Sequence, residues 1–191
     1  MLKIHLLNHL KKKWFVLPVN FQQCLQNLVN LKKKFVESWV LLGMKYNTFS
    51  LGELVQIKYG KNQKHVVSAD GKIPIYGTGG IMGYATEYLY NKPSVLIGRK
   101  GTIGKVKYAD HPFWTVDTLF YTEVNDEIVL PKFLFYLMSQ LDLNVYNEGT
   151  TIPSLRTETL NRLEFSIPPL PIQRKIASIL SALDDKIETN N

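Results

Sequence analysis

Two glycine-rich stretches carry the residue types that hold phosphate groups. Gly77-Thr78-Gly79-Gly80-Ile81-Met82-Gly83 sets glycines beside a hydroxyl donor, but Met82 stands where a dinucleotide-binding loop requires its third glycine. Gly98-Arg99-Lys100-Gly101-Thr102-Ile103-Gly104 lacks the spacing of a nucleoside-triphosphate loop. It also runs into Lys105-Val106, a strand pattern, where such a loop opens into a helix. Neither stretch is a nucleotide site. Glycines at strand ends permit tight turns and close backbone approach, and Thr78, Arg99, Lys100 and Thr102 add hydrogen-bond donors. The combination suits a DNA backbone or groove edge as well as it suits a plain hairpin.

Catalytic constellations are poorly represented. His5 and His9 have the i, i+4 spacing of a metal-ligand pair, yet no third ligand lies near them in sequence, and His65 and His111 do not complete a cluster. No serine sits in a G-x-S-x-G context, and no Cys–His pair has a positioned carboxylate, so acyl transfer has no support. Asp110, Asp117 and Glu123 fall near strand ends and could bind a cation. Asp117 and Glu123 are the pair an unrelated metal-dependent enzyme would use, although single carboxylates in such positions ordinarily cap turns.

The elements that position these residues follow from composition and periodicity. The 191 residues allow one ordinary domain with an appendage, and 45% hydrophobic with 20% charged residues is the balance of a chain with a packed core. The single cysteine, Cys24, excludes a disulfide framework and a cysteine zinc cluster, which fits a reducing cytoplasm. The net charge of +7 is unevenly spread. Residues 55–107 hold nine Lys/Arg against Asp70 and Glu87, whereas residues 108–191 hold six against twelve carboxylates. A basic face beside an acidic body suits a surface that meets phosphate on one side only.

Residues 1–43 form a basic extension in which Lys11-Lys12-Lys13 and Lys32-Lys33-Lys34 flank an uncharged stretch from Trp14 to Leu31. Six of those eighteen residues are Asn or Gln and Pro18 interrupts them, so neither a membrane span nor a signal-peptide core is expected. The extension is read as an amphipathic appendage or as no part of the domain, which would begin at Met44. Ser50 and Glu53 have capping-box spacing. Short strands are expected at Ile73–Tyr76, Ser94–Gly98, Ile103–Tyr108, Phe113–Thr115, Leu119–Val124 and Leu163–Ile167, with a helix opening at Pro131. Tyr76, Phe113 and Trp114 are expected in the core. After Pro168-Pro169 the period turns helical, and Ile172, Ile176, Ile179, Leu180, Leu183 and Ile187 share one stripe, four of them on a heptad seam. The stripe suits a partner helix better than an ordinary amphipathic helix folded onto its own domain. The expected fold is α+β, a compact β-rich domain over 44–168 with one packed helix, then a long amphipathic coiled-coil helix over 169–191.

In order and spacing, the segments LGELVQIKYG, IPIYGTGGIMG, VLIGRKGTIGKV, PKFLFYLMSQL, GTTIPSLRTETLNRLEFSIPPLP and IQRKIASILSALDDKIE resemble the specificity (S) subunit of Type I restriction-modification systems. The resemblance runs from about Phe49 to Ile187 and covers one target recognition domain and one conserved spacer helix, where the usual family member carries two of each. It implies a half-subunit without catalysis that reads one half of a split double-stranded DNA target. The implied partners are methyltransferase (M) subunits, a restriction (R) subunit and a second copy or second half-subunit; S-adenosylmethionine, ATP and Mg would belong to those partner subunits, and the chain itself would need no cofactor or metal. A silent recombination cassette or inhibitory half-subunit is the competing reading. The DNA contacts then expected are Lys58, Lys61, Asn62, Lys64 and His65 after the first strand, Thr78, Gly79 and Gly80, and Arg99, Lys100 and Thr102, with Lys and Arg on phosphates and Asn62, His65 or Arg99 reaching base edges. Thr150 and Thr151 could add phosphate contacts or belong to a structural turn.

Overall fold

The computed structural model describes residues 46–189, with side chains through Asp185. The chain divides into two units, Met1–Gly43 and Met44–Asn191, and every described residue belongs to the second. The expectations for His5, His9, Cys24, the lysine triplets and Trp14–Leu31, and for the side chain of Ile187, lie outside the described residues.

The fold is α+β. Strand β1 (Asn47–Ser50) leads into a single turn of helix, α1 (Leu51–Leu54), where the Glu53 carboxylate accepts both the Ser50 N–H and the Ser50 hydroxyl at 2.7 Å. Those bonds favour the ionised carboxyl and hold Glu53 below the usual carboxylate range. The strands that follow are β2 (Val55–Tyr59), β3 (Ile73–Gly77), β4 (Gly80–Ala85), β5 (Ser94–Gly98), β6 (Val106–Ala109), β7 (Trp114–Thr115) and β8 (Leu119–Val124). Helix α2 (Pro131–Met138) starts with proline at its first turn, where the missing N–H has no partner to lose. A 3-10 turn at Leu143–Tyr146, helix α3 (Thr157–Asn161), strand β9 (Glu164–Ile167) and helix α4 (Leu170–Thr189) complete the order.

The strands form three sheets, β1-β9, β2-β8-β5-β6 and β4-β3-β7, antiparallel except where β7 runs parallel to β3. Successive residues of a strand face opposite sides, and the run Phe113-Trp114 uses this to join two cores. Phe113 packs with Tyr76, Leu96, Leu119 and Tyr121, and Trp114 packs with Val66, Ile75, Ala85 and Val116. Tyr76, Phe113 and Trp114 are therefore core residues, as their strand context suggests.

Two strand expectations change. The strand placed at Ile103–Tyr108 starts only at Val106, because the chain first folds over Gly98, where a Cβ would lie 2.1 Å from the Thr102 carbonyl. Gly104 then passes against Asn144 of the 3-10 turn. Strand β4 starts inside the glycine-rich stretch, which forms the β3–β4 hairpin, with Gly80 at φ +139°, a conformation that a side chain would strain.

The stretch from Thr115 to Leu119 is the main-chain hub. Its carbonyls accept the N–H of Lys61 (to Thr115, 2.8 Å), of Arg99 and Lys100 (to Thr118, 2.9 and 3.2 Å) and of Gly60 (to Leu119, 3.1 Å), while Val116 donates to the Tyr76 carbonyl at 3.1 Å. Trp114 adds an Nε1–H bond to the Lys61 carbonyl at 3.0 Å. Gly60 runs so close that a Cβ there would sit 2.0 Å from the Val116 oxygen.

Helix α4 is clamped to the domain at its start. Gln173 is fully buried; its Oε1 accepts the Leu130 N–H, and its Nε2 donates to the carbonyls of Ile128 and Pro168, all at 2.8 Å. Farther along, Ile176, Ala177 and Leu180 are buried where α4 packs on α2, and the Tyr136 hydroxyl donates to Asp184 Oδ2 at 2.7 Å. Burial, followed by that bond, pushes the Tyr136 phenol upward. The stripe read as a partner seam is thus divided. Ile176 and Leu180 serve the chain's own core, and Ile179 stays 43% exposed with Ile172 and Leu183 half-buried.

Two stability outcomes follow. Gln173→Leu removes the side-chain partner of one buried and two part-buried main-chain groups and should lower unfolding free energy by about 2 to 4 kcal/mol in urea titration; an unchanged midpoint would contradict the clamp. Gly60→Ala, which must displace the Val116 carbonyl, should cost about 1 to 3 kcal/mol, the range for overpacking, and should make the Lys61 amide exchange faster with deuterium.

Candidate nucleic-acid interface

Because three segments hang from one stretch of main chain, the structure brings together most of the residues singled out in the sequence. The loop 61–65 is held by Thr115 and Trp114, the β3–β4 hairpin by the Tyr76–Val116 bond and the loop 99–102 by Thr118. The hairpin has a second support: Lys107 Nζ donates to the Thr78 carbonyl at 2.5 Å, and burial, with Lys105 nearby, holds the Lys107 amine below its ordinary range. Lys107 is not among the expected contacts, and its bond to the hairpin tip gives it a positioning role.

Individual side chains differ in what they have left to offer. Lys61, Lys64 and Lys100 are exposed, and among the described residues none has an ion-pair partner, so their ammonium groups face solvent. Thr102 is exposed beside Gly101, which takes φ +84°. Lys58 lies on β2 rather than after it, and its Nζ is 3.6 Å from Glu123 Oε2, which offsets part of its charge. Arg99 is committed twice: Nη1 donates to the Asp117 carbonyl at 2.9 Å, and the guanidinium lies 5.0 Å from the centre of the Tyr59 ring.

The three expected base readers are all engaged within the chain. Besides Arg99, Asn62 Oδ1 accepts the Lys64 N–H at 2.9 Å, an Asx turn, and the exposed His65 sets its ring edge-on to Trp114 at 5.4 Å. Between the loop 61–65, the hairpin and 116–118 lies an open groove of about 500 Å³, lined by Gln63, Gly77–Met82 and Val116–Thr118. Thr78, Gly79 and Gly80 form its wall, and a Cβ added to Gly79 or Gly80 would meet nothing within 4 Å.

The other candidates resolve into structure. Gly149–Pro153 is a tight turn: Asn147 Oδ1 accepts the N–H of Gly149 and of Ser154 at 2.9 Å, while Thr150 and Thr151 remain exposed. Asp110 contacts His111 Nδ1 at 3.0 Å, and Glu123 faces Lys58. Among the described residues no three His, Cys, Asp or Glu side chains are grouped as a metal site, and no helix is long and apolar enough to cross a membrane.

Comparisons with known proteins bear on the family and the fold. A putative type I specificity subunit of Mycoplasma pneumoniae is 29% identical over 147 residues, 73% of this chain and 48% of the relative. A putative type I restriction enzyme specificity subunit of Haemophilus influenzae is 30% identical over 156 residues, 73% of this chain and 39% of the relative. The chain therefore spans about half the length of these relatives or less. The crystal structure of a type I restriction-modification S subunit from M. genitalium superimposes with a TM-score of 0.67 at 23% identity, covering 78% of this chain and 41% of that one. A structure described for assembly and conformational transition of the type I R-M system gives 0.61 at 16%, covering 88% and 48%. The family described as Type I restriction modification DNA specificity domain matches residues 44–191, and the chain belongs to that family.

Proposed function

We propose that the chain is the sequence-specific DNA-binding component of a Type I restriction-modification complex, reading one half of a bipartite duplex target and docking methyltransferase subunits. The carrying observation is the convergence of three segments on one main-chain hub, two of them bearing Lys61, Lys64, Arg99 and Lys100 and the third the glycine-rich hairpin, which anchors the backbone of the cation-bearing loops to one stretch. The chain is non-catalytic in this reading, and S-adenosylmethionine, ATP and Mg belong to methyltransferase and restriction subunits in the cytoplasm. Family membership sets aside the unrelated metal-dependent enzyme that Asp117 and Glu123 would have served. Residues 44–168 act as the recognition domain and 169–191 as the spacer helix. No observation favours a silent cassette or inhibitory fragment over this function.

Helix α4 supplies the assembly surface. With Ile176 and Leu180 used internally, Ile179 together with the half-buried Ile172 and Leu183 forms the strip that meets a second copy or the spacer of a second half-subunit. Antiparallel pairing about a two-fold axis would set two recognition domains at opposite ends and make the target an interrupted palindrome.

Two measurements test this. Replacing Lys61, Lys64 and Lys100 by alanine should weaken duplex binding by the assembled complex at every sequence and reduce the log–log salt slope by about one unit for each phosphate no longer neutralised; an unchanged slope in the triple variant would remove this face from the interface. Ile179→Glu should abolish self-association in light scattering while leaving the melting temperature within about 2 °C, since a surface change alters stability by about 0.5 kcal/mol or less. Dimers that persist in that variant would contradict the helix pairing.

A further inference from the structure

Resting on the DNA-binding reading above, we propose that the groove between Gln63, the β3–β4 hairpin tip and Asp117 is the base-reading site, with Gln63 and Asp117 as the residues that determine specificity. The chemistry of its lining distinguishes it from the surface around it. No lysine or arginine lines the groove, although Lys61, Lys64, Arg99 and Lys100 belong to the segments that border it. What lines it instead, besides glycines, is an amide (Gln63), a carboxylate (Asp117), two hydroxyls (Thr78, Thr118) and three apolar side chains, the buried Val116 and Ile81 and Met82, which are 53% and 58% exposed. That is the donor, acceptor and methyl-contact set of base edges in the major groove, whereas phosphates are met by cations.

Asp117 carries most of the weight. A carboxylate beside a phosphate-binding face repels DNA unless it accepts a hydrogen bond that only a base supplies, and in the major groove the exocyclic N4 amine of cytosine is the matching donor. Its main-chain carbonyl is fixed by Arg99 Nη1 at 2.9 Å, so the side chain springs from an immobilised backbone while its own oxygens have no described partner. Gln63 is held in the same manner: its carbonyl accepts the N–H of Val66 and Val67 at 3.0 Å, and its amide has no described partner. A glutamine amide pairs with N6 and N7 of adenine. Gly79 and Gly80 keep the hairpin tip bare, which leaves room for base edges to reach both side chains.

The test selects bound duplexes from a random-sequence pool with the full chain in complex with methyltransferase subunits, then sequences them. Gln63→Ala should cost roughly 5- to 150-fold in preference at one adenine position, and Asp117→Ala the same at one cytosine position, the range for one good base contact. Asp117→Ala should also raise affinity for random duplex, because a negative charge leaves a phosphate-facing surface; a residue that mattered only for folding would lower both. Asp117→Asn should turn the cytosine preference toward adenine. A wild-type motif that reappears unchanged in all three variants would overturn the assignment and leave the DNA-binding reading standing. A wild-type complex that enriches no motif would overturn that reading, and the base-reading groove with it.

Discussion

Five main-chain hydrogen bonds converge on the Thr115–Leu119 stretch, and the arrangement of the whole face depends on them. The stretch is short, and its two-residue strand β7 pairs parallel to β3, so side-chain packing by Phe113 and Trp114 into separate cores must hold it in place. Once it is fixed, its carbonyls hold Lys61, Arg99 and Lys100, and Val116 holds the end of β3. Loops far apart in sequence, 61–65 and 99–102, thereby have their backbone anchored to the same stretch. If this surface meets phosphates as proposed, anchoring both cation-bearing loops to main-chain carbonyls fixes where each loop starts, while the exposed lysine side chains stay in solvent, where their mutual repulsion is screened.

Division of labour along α4 follows the same logic. If α4 sets the distance between a recognition domain and its neighbours, as proposed, it has to start from a rigid joint. Gln173 supplies that joint by satisfying Leu130, Ile128 and Pro168 at once, in a place where Pro168-Pro169 has ended β9 and left carbonyls without ladder partners. Tyr136 and Asp184 make a second contact about three helical turns farther on, so the orientation of α4 is set at two points rather than by its apolar face alone. Covering Ile176 and Leu180 with α2 narrows the strip left for another helix.

Much of the fold is legible in the sequence because its signals are local. Alternation, Pro131 at a helix start, the Ser50–Glu53 box and the Pro168-Pro169 stop each act within a few residues, and each appears where the pattern puts it. For the candidate site, the sequence marks the segments but not what each side chain has left to offer. Asn62, His65 and Arg99 are good base readers by type, but Asn62 closes its own turn, His65 leans on Trp114 and Arg99 is bound by Asp117 and Tyr59. The engagements of His65 and Arg99 join residues at least 18 apart in the chain, which no spacing rule contains. Gln63 carries no signal of its own among lysines, and Asp117 reads as a turn cap because a lone carboxylate has no sequence signature. The helical stripe is plainly apolar in the sequence, yet which of its members α2 covers depends on the packing angle of two helices.

If the recognition face is one surface, duplex DNA must cover the loop 61–65, the hairpin tip 77–80 and the loop 99–102 together. Hydrogen–deuterium exchange of the assembled complex, with and without a duplex carrying its target, measures this directly. Amides in all three segments should slow together on DNA binding, while those of the acidic stretch 123–127 exchange as before. Protection confined to one segment, or centred on 123–127, would contradict a single recognition face.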